Sequence, residues 1–465
     1  MKPTVVILAA GLGTRMKSGL AKALHPLAGR PLIQHVLEAV SGLAVQRTVV
    51  VLGHQAARAR KMVEGYGATI ALQAEQLGTG HAVMQAHEII ATAKGPVLIL
   101  CADTPLLTTA TLCSIVEFHA ASRAAVTVMT ALVQEPFGYG RVVRNKSGIT
   151  RIVEEKDATA AQKKITEVNA GIYCFEQRFL LEALKSIKNN NAQGEYYLPD
   201  MITLARKKRL AVEGLVCGDP DEIMGVNTRV DLSRAESIMR SRINRAWMLA
   251  GVTMLDPNAT FIGSEVTLGR DCILYPNVRV EGKTTIGQSC TVFPGARILN
   301  SAIGNEVTVK DCSVIEESTV ADNASVGPFA HLRPGSVIGA RARIGNFVEI
   351  KKSSIGEGSK ANHLAYIGDA TVGKDVNIGA GVITCNYDGF DKFPTIIEDG
   401  VFIGSDSQLV APVRIGRGAL IAAGSTITHN VPADALAISR TPQDIREGFA
   451  ARRRKMKQKK AISKK

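Results

Sequence analysis

The chain has 465 residues, 46% hydrophobic but only 5% aromatic, which is enough to bury more than one core of small aliphatics. Its first apolar run, Val5-Val6-Ile7-Leu8, is too short for a signal-peptide core or a membrane span, and no later stretch spans a membrane either, so membrane insertion is excluded. The net charge of +14 is concentrated at one end: nine Lys or Arg and no acid lie between Arg452 and Lys465, leaving +5 elsewhere, a modest surplus that suits phosphorylated substrates.

The first predicted element is a buried strand, Val5 to Ala10, running into Gly11-Leu-Gly-Thr-Arg15-Met16. A strand, a glycine-rich turn and then basic residues make a phosphate cradle, because backbone N–H groups of such a loop can approach phosphate oxygens closely. The loop lacks the Gly-Lys-Ser/Thr of a Walker A motif, and Met16 stands where a dinucleotide fingerprint needs its third glycine. Arg15 and Lys22 add mobile positive charge beside it, although the glycines alone also fit a plain βα turn. Further strands are predicted at Thr48–Leu52, Val97–Leu100 and Ala125–Thr130, and helices at Leu32–Val40 and Gly80–Ile90. That alternation predicts an α/β, Rossmann-like domain with a mostly parallel sheet covered on both faces. Asp103 follows the strand Val97–Leu100 at the edge where ligands of such sheets bind, though an Asp there can also cap the next helix. Asp231 to Met248 has helical character and reads as a connector.

From about Val252 to Val431 the chain reads in sixes. Aliphatics recur at Val280, Ile286, Val292 and Ile298, again from Val320 to Ile350, and again from Ile397 to Ile427. This period fits neither a helix nor an alternating hairpin sheet; it predicts a parallel β-helix of hexapeptide repeats with a column of stacked aliphatics inside. Glycine after the aliphatic suits a corner where a Cβ would clash or φ is positive. The register slips by one at Ile298–Ile303 and Ile350–Ile355 and breaks between Thr384 and Ile397, where Cys385-Asn-Tyr-Asp-Gly-Phe390 reads as an extruded loop and a candidate binding element. Eight cysteines are scattered without a CxxC or zinc spacing, which predicts reduced thiols in a cytoplasmic protein. The run Arg452–Lys465 reads as a solvated, disordered tail; no aromatics interleave its charges, which argues against nucleic acid as its partner.

Four stretches carry a resemblance. Leu8-Ala-Ala-Gly-Leu-Gly-Thr-Arg-Met16, with Lys22 and Gly29-Arg-Pro31, is similar to the signature of sugar-1-phosphate nucleotidylyltransferases. Gln73-Ala-Glu-Gln-Leu-Gly-Thr-Gly-His-Ala82 and Asn189-Asn-Asn-Ala-Gln-Gly-Glu-Tyr-Tyr197 narrow it, and Lys360-Ala-Asn-His363-Leu-Ala-Tyr366-Ile-Gly-Asp369 adds an acetyltransferase motif. Taken with the hexapeptide half, the chain resembles the bifunctional N-acetylglucosamine-1-phosphate uridylyltransferase/glucosamine-1-phosphate N-acetyltransferase family (GlmU family) except for its last twenty or so residues.

The resemblance implies a uridylyltransferase domain at 1–227, a linker helix at 228–248, a left-handed β-helix acetyltransferase domain at 249–440 and a basic tail at 441–465. It places Leu8, Ala9, Ala10 and Gly11 on the nucleotide, the catalytic Arg15 and Lys22 on its phosphates, and Gln73, Gly78 and Thr79 on the uridine. Gly140, Glu154 and Asn169 hold the sugar, and Asp103 and Asn227 bind Mg²⁺, with Asn227 also touching the sugar nucleotide. In the second domain His363 is the general base, which suits an imidazole titrating at about 6.5. Arg333 and Lys351 grip the phosphate of glucosamine-1-phosphate, and Tyr366 and Asn377 its sugar. Acetyl-CoA lies on Ala380, Asn386, Tyr387, Ser405, Ala423 and Arg440, with Asn386 and Tyr387 also lining the amine's place and the Ser405 amide facing the oxyanion. UTP and acetyl-CoA are the co-substrates, and three copies form a homotrimer through the β-helix. The chain departs from the family's pattern at Cys101-Ala102 (Tyr-Gly in many relatives), Ala170 (Thr) and Glu155 (His). Two other readings share the layout: a single-activity nucleotidylyltransferase whose β-helix is structural or regulatory, and a scaffold subunit of the translation exchange-factor type, which should have lost Arg15, Lys22 or Asp103.

Overall fold

The computed structural model describes residues 2–53 and 55–462 and divides the chain into two compact units. The first comprises 1–246 with 262–264; the second comprises 247–261 with 265–465.

The first unit is built on one sheet. Its strands run, from edge to edge, Val212–Val216, Val126–Leu132, Glu167–Phe175, Val97–Cys101, Thr4–Ala9, Arg47–Leu52 and Thr69–Leu72. All these pairings are parallel except those of Glu167–Phe175, which runs antiparallel to both its neighbours. The sheet is therefore mixed. A hairpin, Arg141–Asn145 with Gly148–Val153, joins that reversed strand through Val168 and Arg141. Successive residues of one strand face opposite sides, so two cores form. Val6, Val49, Val51, Ile99, Val128 and Phe175 are buried on one face, and Val5, Ile7, Val50, Leu98, Leu100 and Met129 on the other. The predicted helix over Gly80–Ile90 is two short ones, Thr79–Met84 and His87–Ala91.

The connector forms a helix, Arg229–Leu249. Asp231 anchors its start by accepting the backbone N–H of Asn227 at 3.0 Å and of Thr228 at 2.7 Å. Leu232, Ala235, Ile238 and Met239 then cover an apolar cluster of Leu27, Leu32, Leu106, Met224 and Val226. The first turns of this helix thus complete the core of the first unit.

The second unit is a solenoid of two- to four-residue parallel strands in three sheets. Val280 pairs with Ile298 eighteen residues on, and Ile298 with Ile315 seventeen on, so each coil takes three hexads or one residue fewer. Leu274, Val292, Val309, Val326 and Ile344 stack on one side, and Ile286, Ile303, Val320 and Ile338 on another, all buried. This is the three-sheet arrangement of a left-handed parallel β-helix. Both explanations for glycine after the aliphatic hold: a Cβ on Gly404 would lie 2.5 Å from the Ala423 nitrogen of the next coil, and Gly327, after Val326, has a φ of 102°. Positive φ also falls on non-glycine corner residues, such as Asn277, Phe329 and Phe347.

The extruded loop costs the solenoid no register. Thr384 pairs with Leu409, twenty-five residues on, and the extra length is taken up by a tight excursion in which Phe393 N–H donates to the Asn386 carbonyl at 2.9 Å. The basic tail differs from expectation. Phe449–Ile462 is a helix, exposed from Phe449 to Lys460, rather than a disordered run. Its Ala, Arg, Lys, Met and Gln residues are strong helix formers, and that propensity outweighs the like-charge repulsion at this spacing. Residues 463–465 of that run lie outside the described residues.

Candidate functional sites

In the first unit a cavity of about 500 Å³ opens at the carboxyl ends of the parallel strands. The strand Thr4–Ala9 delivers Leu8 and Ala9 to it, and Ala10 and Gly11 continue the wall. Gly13, at φ 64°, turns the chain into a single helical turn that carries Arg15. Lys22 enters from the next turn, Asp103 from beyond the strand Val97–Cys101, and Asn227 from the start of the connecting helix. Gln73, Gly78 and Thr79 close the opposite side.

These side chains meet. The Lys22 ammonium pairs with the Asp103 carboxylate and donates to the Asn227 amide oxygen at 3.1 Å. Arg15 donates to the same Asn227 oxygen at 2.8 Å. Asn227 is brought near Asp103 by the backbone, since Val226 N–H donates to the Asp103 carbonyl at 2.8 Å. Asp103 does not cap the following helix; Thr108 does, its hydroxyl accepting from Thr111 N–H at 3.3 Å. The carboxylate is thereby left for the cavity.

The Gln73 and Asn189 stretches lie against one another. Gly80 N–H donates to the Tyr196 carbonyl at 2.7 Å, and Leu198 N–H to the Thr79 hydroxyl at 3.1 Å. Gln73 is buried, its amide nitrogen 3.0 Å from His81 Nδ1 and 3.3 Å from the Gly78 carbonyl. Gln193 and Glu195, which sequence reasoning quoted without a role, also line the cavity.

Gly140, Glu154 and Asn169 stand outside the cavity wall and cluster together. Asn169 N–H donates to the Gly140 carbonyl at 2.8 Å, and a Cβ on Gly140 would lie 3.1 Å from Glu154 Oε1. Cys101, which lines the cavity, links the two groups. Burial pushes its thiol up to about 12, and the charges of Asp103 and Glu154 both push in the same direction. Burial, followed by repulsion from Asp157, Asp200 and Glu195, raises the Glu154 carboxyl from 4.5 to about 7. Its folded value lies above its unfolded one, so the stability it contributes is full below pH 4.5 and is lost as pH rises to about 7. We therefore expect Glu154→Gln to gain stability relative to the native chain between those limits. Urea midpoints at pH 5 and pH 7.5 check this; a difference that is the same at both would remove the buried-charge explanation.

In the second unit the predicted residues fall on adjacent columns. Arg333 and Lys351 occupy neighbouring rungs of one sheet, and Tyr366 lies on the next strand opposite Glu349. Arg333 donates to Glu349 at 2.8 Å. Lys392, in the extruded loop, was not singled out from sequence; contact with the Lys351 ammonium depresses its own. Together with Arg333 they form a positively charged rim.

His363, Ala380, Ser405 and Ala423 form a column, because each stands two residues beyond an inward residue in successive coils: Ala361, Ile378, Ile403 and Ile421. Arg440 closes its end, donating to the Ala423 carbonyl at 2.6 Å. Asn377 begins the strand one coil beyond Lys360. Asn386 donates its amide to Asp369, and the Tyr387 hydroxyl donates to the Gly389 carbonyl at 2.5 Å, so both are fixed on the loop. His363 itself is exposed, with Nδ1 2.6 Å from Asn346 Oδ1. Asn346 was also missed; the column extended one coil back reaches it.

Family models match three stretches: a MobA-like NTP transferase domain over residues 5–168, a GMPPB C-terminal domain over 249–340 and a bacterial transferase hexapeptide (six repeats) over 394–429. Whole-chain relatives carry the name bifunctional protein GlmU. That of Pelobacter propionicus is 52% identical over 97% of this chain and 98% of its own. That of Halalkalibacterium halodurans is 51% identical over 96% and 98%, and that of Exiguobacterium sibiricum 50% identical over 97% and 100%.

Proposed function

Because this chain belongs to the GlmU family, bifunctional uridylyltransferases and acetyltransferases that make UDP-N-acetylglucosamine, we propose that its two reactions run at two separate sites, one in each compact unit. The observation that supports this is that every residue assigned to uridylyl transfer lies in the first unit and every residue assigned to acetyl transfer in the second.

At the solenoid, the amine of glucosamine-1-phosphate attacks the thioester carbonyl of acetyl-CoA. His363 takes the proton the amine loses, the tetrahedral intermediate collapses, and the coenzyme A thiol leaves. The imidazole is exposed, which suits a base that meets substrate, and the cations Arg333, Lys351 and Lys392 suit the sugar phosphate. Tyr366 and Asn377 orient the sugar; Ala380, Asn386, Tyr387, Ser405, Ala423 and Arg440 hold acetyl-CoA along the edge. The Ser405 amide is the donor for the oxyanion.

In the first unit, the phosphate of N-acetylglucosamine-1-phosphate attacks the α-phosphorus of UTP and pyrophosphate leaves. Leu8 to Gly11 hold the nucleotide, Gln73, Gly78 and Thr79 its base, and Gly140, Glu154 and Asn169 the sugar. Arg15 and Lys22 offset the charge that builds on the phosphates. The Asp103 carboxylate and Asn227 amide oxygen fit Mg²⁺: both are hard oxygens, and a cation, the Lys22 ammonium, already rests on the two together. When bound, Mg²⁺ neutralises phosphate charge in the transition state.

No described helix is long and apolar enough to cross a membrane. All eight cysteines are free, which supports a reducing cytoplasmic location. Assembly as a trimer through the β-helix is supported by the corner beside the His363 column. Phe329 and Phe347 stack there at 5.5 Å between ring centroids, and with Leu364 they are each at least 50% exposed.

The test divides the chain. Residues 1–246 keep the helix that covers Leu27, Leu32 and Leu106, and should be monomeric and make UDP-N-acetylglucosamine from the acetylated sugar phosphate. Residues 1–227 lack that cover and should melt at lower temperature. Light scattering and a mass-resolved assay check this. A trimeric 1–246 fragment would take the assembly away from the β-helix, and an inactive folded one would overturn the two-site reading.

A further inference from the structure

We infer that Asn346 is a positioning residue for acetyl transfer: its side-chain oxygen accepts the Nδ1–H of His363 and so fixes the imidazole with its Nε2 lone pair facing the substrate. The inference rests on the reading of His363 as the base.

Three observations carry it. The first is the contact itself, Asn346 Oδ1 to His363 Nδ1 at 2.6 Å. A neutral imidazole has one N–H and one lone pair, so an acceptor at Nδ1 places the proton there and leaves Nε2 basic.

The second is the backbone that holds the pair. Most strands of this sheet are two residues long, including Ser325–Val326 before and Asn377–Ile378 after. The two strands Arg343–Asn346 and Lys360–His363 have four, and their ladder runs on to the rung Asn346–His363. The sheet is extended where it carries these two side chains.

The third is what permits the extension. A Cβ on Gly345 would overlap the Asn362 carbonyl. Glycine there lets the coils close up so that residues 346 and 363 face each other. Asn346 is half-buried and His363 exposed, so the acceptor is fixed on the protein side and Nε2 is open to the substrate.

A neutral hydrogen bond contributes roughly 0.5–1.5 kcal/mol, and about 1.4 kcal/mol is a tenfold rate. Asn346→Ala should therefore lower kcat for acetyl transfer by about 3- to 10-fold, with KM for glucosamine-1-phosphate and acetyl-CoA little changed. Asn346→Asp keeps an acceptor oxygen at the same place and should recover most of that loss. Uridylyl transfer should be unaffected in both, which reports on folding.

The direct readout is the ring itself. In full-length protein labelled with ¹⁵N-histidine, long-range ¹H–¹⁵N correlations distinguish the two tautomers, and His363→Ala identifies the signal. The expected result is the Nδ1–H form in the native protein and a mixture in Asn346→Ala. An Nε2–H form in the native protein would overturn the inference, because Asn346 would then be a donor. So would a native rate in Asn346→Ala together with an inactive His363→Ala. An active His363→Ala would instead overturn the reading of His363 as base, so the two failures are distinguishable.

Discussion

Replacing His363 with Ala is expected to lower acetyl transfer by roughly 10²–10⁴-fold, the usual contribution of a positioned base, while acetyl-CoA still binds. The substrate amine is largely protonated near neutral pH and cannot attack a thioester until it loses that proton. The substitution leaves the Ser405 backbone and the rest of the column in place, so the remaining rate should come from amine that is already free. That rate should climb steadily with pH as the free amine becomes commoner. The ring is exposed, and its side chain meets Asn346 rather than the aliphatic core, so stability should change little. The measurement is kcat for acetyl transfer from pH 6 to 9, with acetyl-CoA affinity and uridylyl transfer as controls. A variant within a few-fold of native at pH 7 would remove His363 from the mechanism and make Tyr366 or a bound water the next candidate.

The second large effect is expected at Asp103. Asp103→Ala should lower uridylyl transfer by at least about 10²–10³-fold, because charge stabilisation by a metal ion amounts to several kcal/mol in such transition states. It also strips the Lys22 ammonium of its carboxylate and leaves Arg15 and Lys22 sharing the Asn227 oxygen. Asp103→Asn keeps the size but not the charge and should be nearly as poor. Acetyl transfer should stay near native in both, since every residue assigned to it lies in the other compact unit. Equal loss of both activities in a folded variant would contradict two independent sites.

Much of this was legible because it was periodic or local. The six-residue repeat reports the solenoid directly: the residue period equals the geometric one, and Val280, Ile298 and Leu332 fall on the inner column where the spacing puts them. The glycine-rich loop and Arg15 were legible because strand, turn and cation are contiguous in the chain. What depended on distant pairing was not. The reversal of Glu167–Phe175 leaves no mark on its own alternation, since a strand buried on both faces reads alike in either direction. Lys22 and Asp103 are 81 residues apart, and each has a role legible from its own motif while nothing local says that they touch. Asn346 had a usable signal. One coil is seventeen or eighteen residues, so stepping back one coil from His363 lands on it. The tail was misread because its charge was weighed and its helix propensity was not.

The column that carries His363, Ala380, Ser405 and Ala423 also behaves as a ruler. Neighbouring strands are about 4.8 Å apart, so Ala423 sits three graduations, or about 14 Å, from His363. Distances along this edge are quantised. A substitution can change what stands at a mark but not the interval between marks, and the insertion after Thr384 leaves the marks on either side in step. A long, thin ligand laid along such an edge is read by length as well as by chemistry.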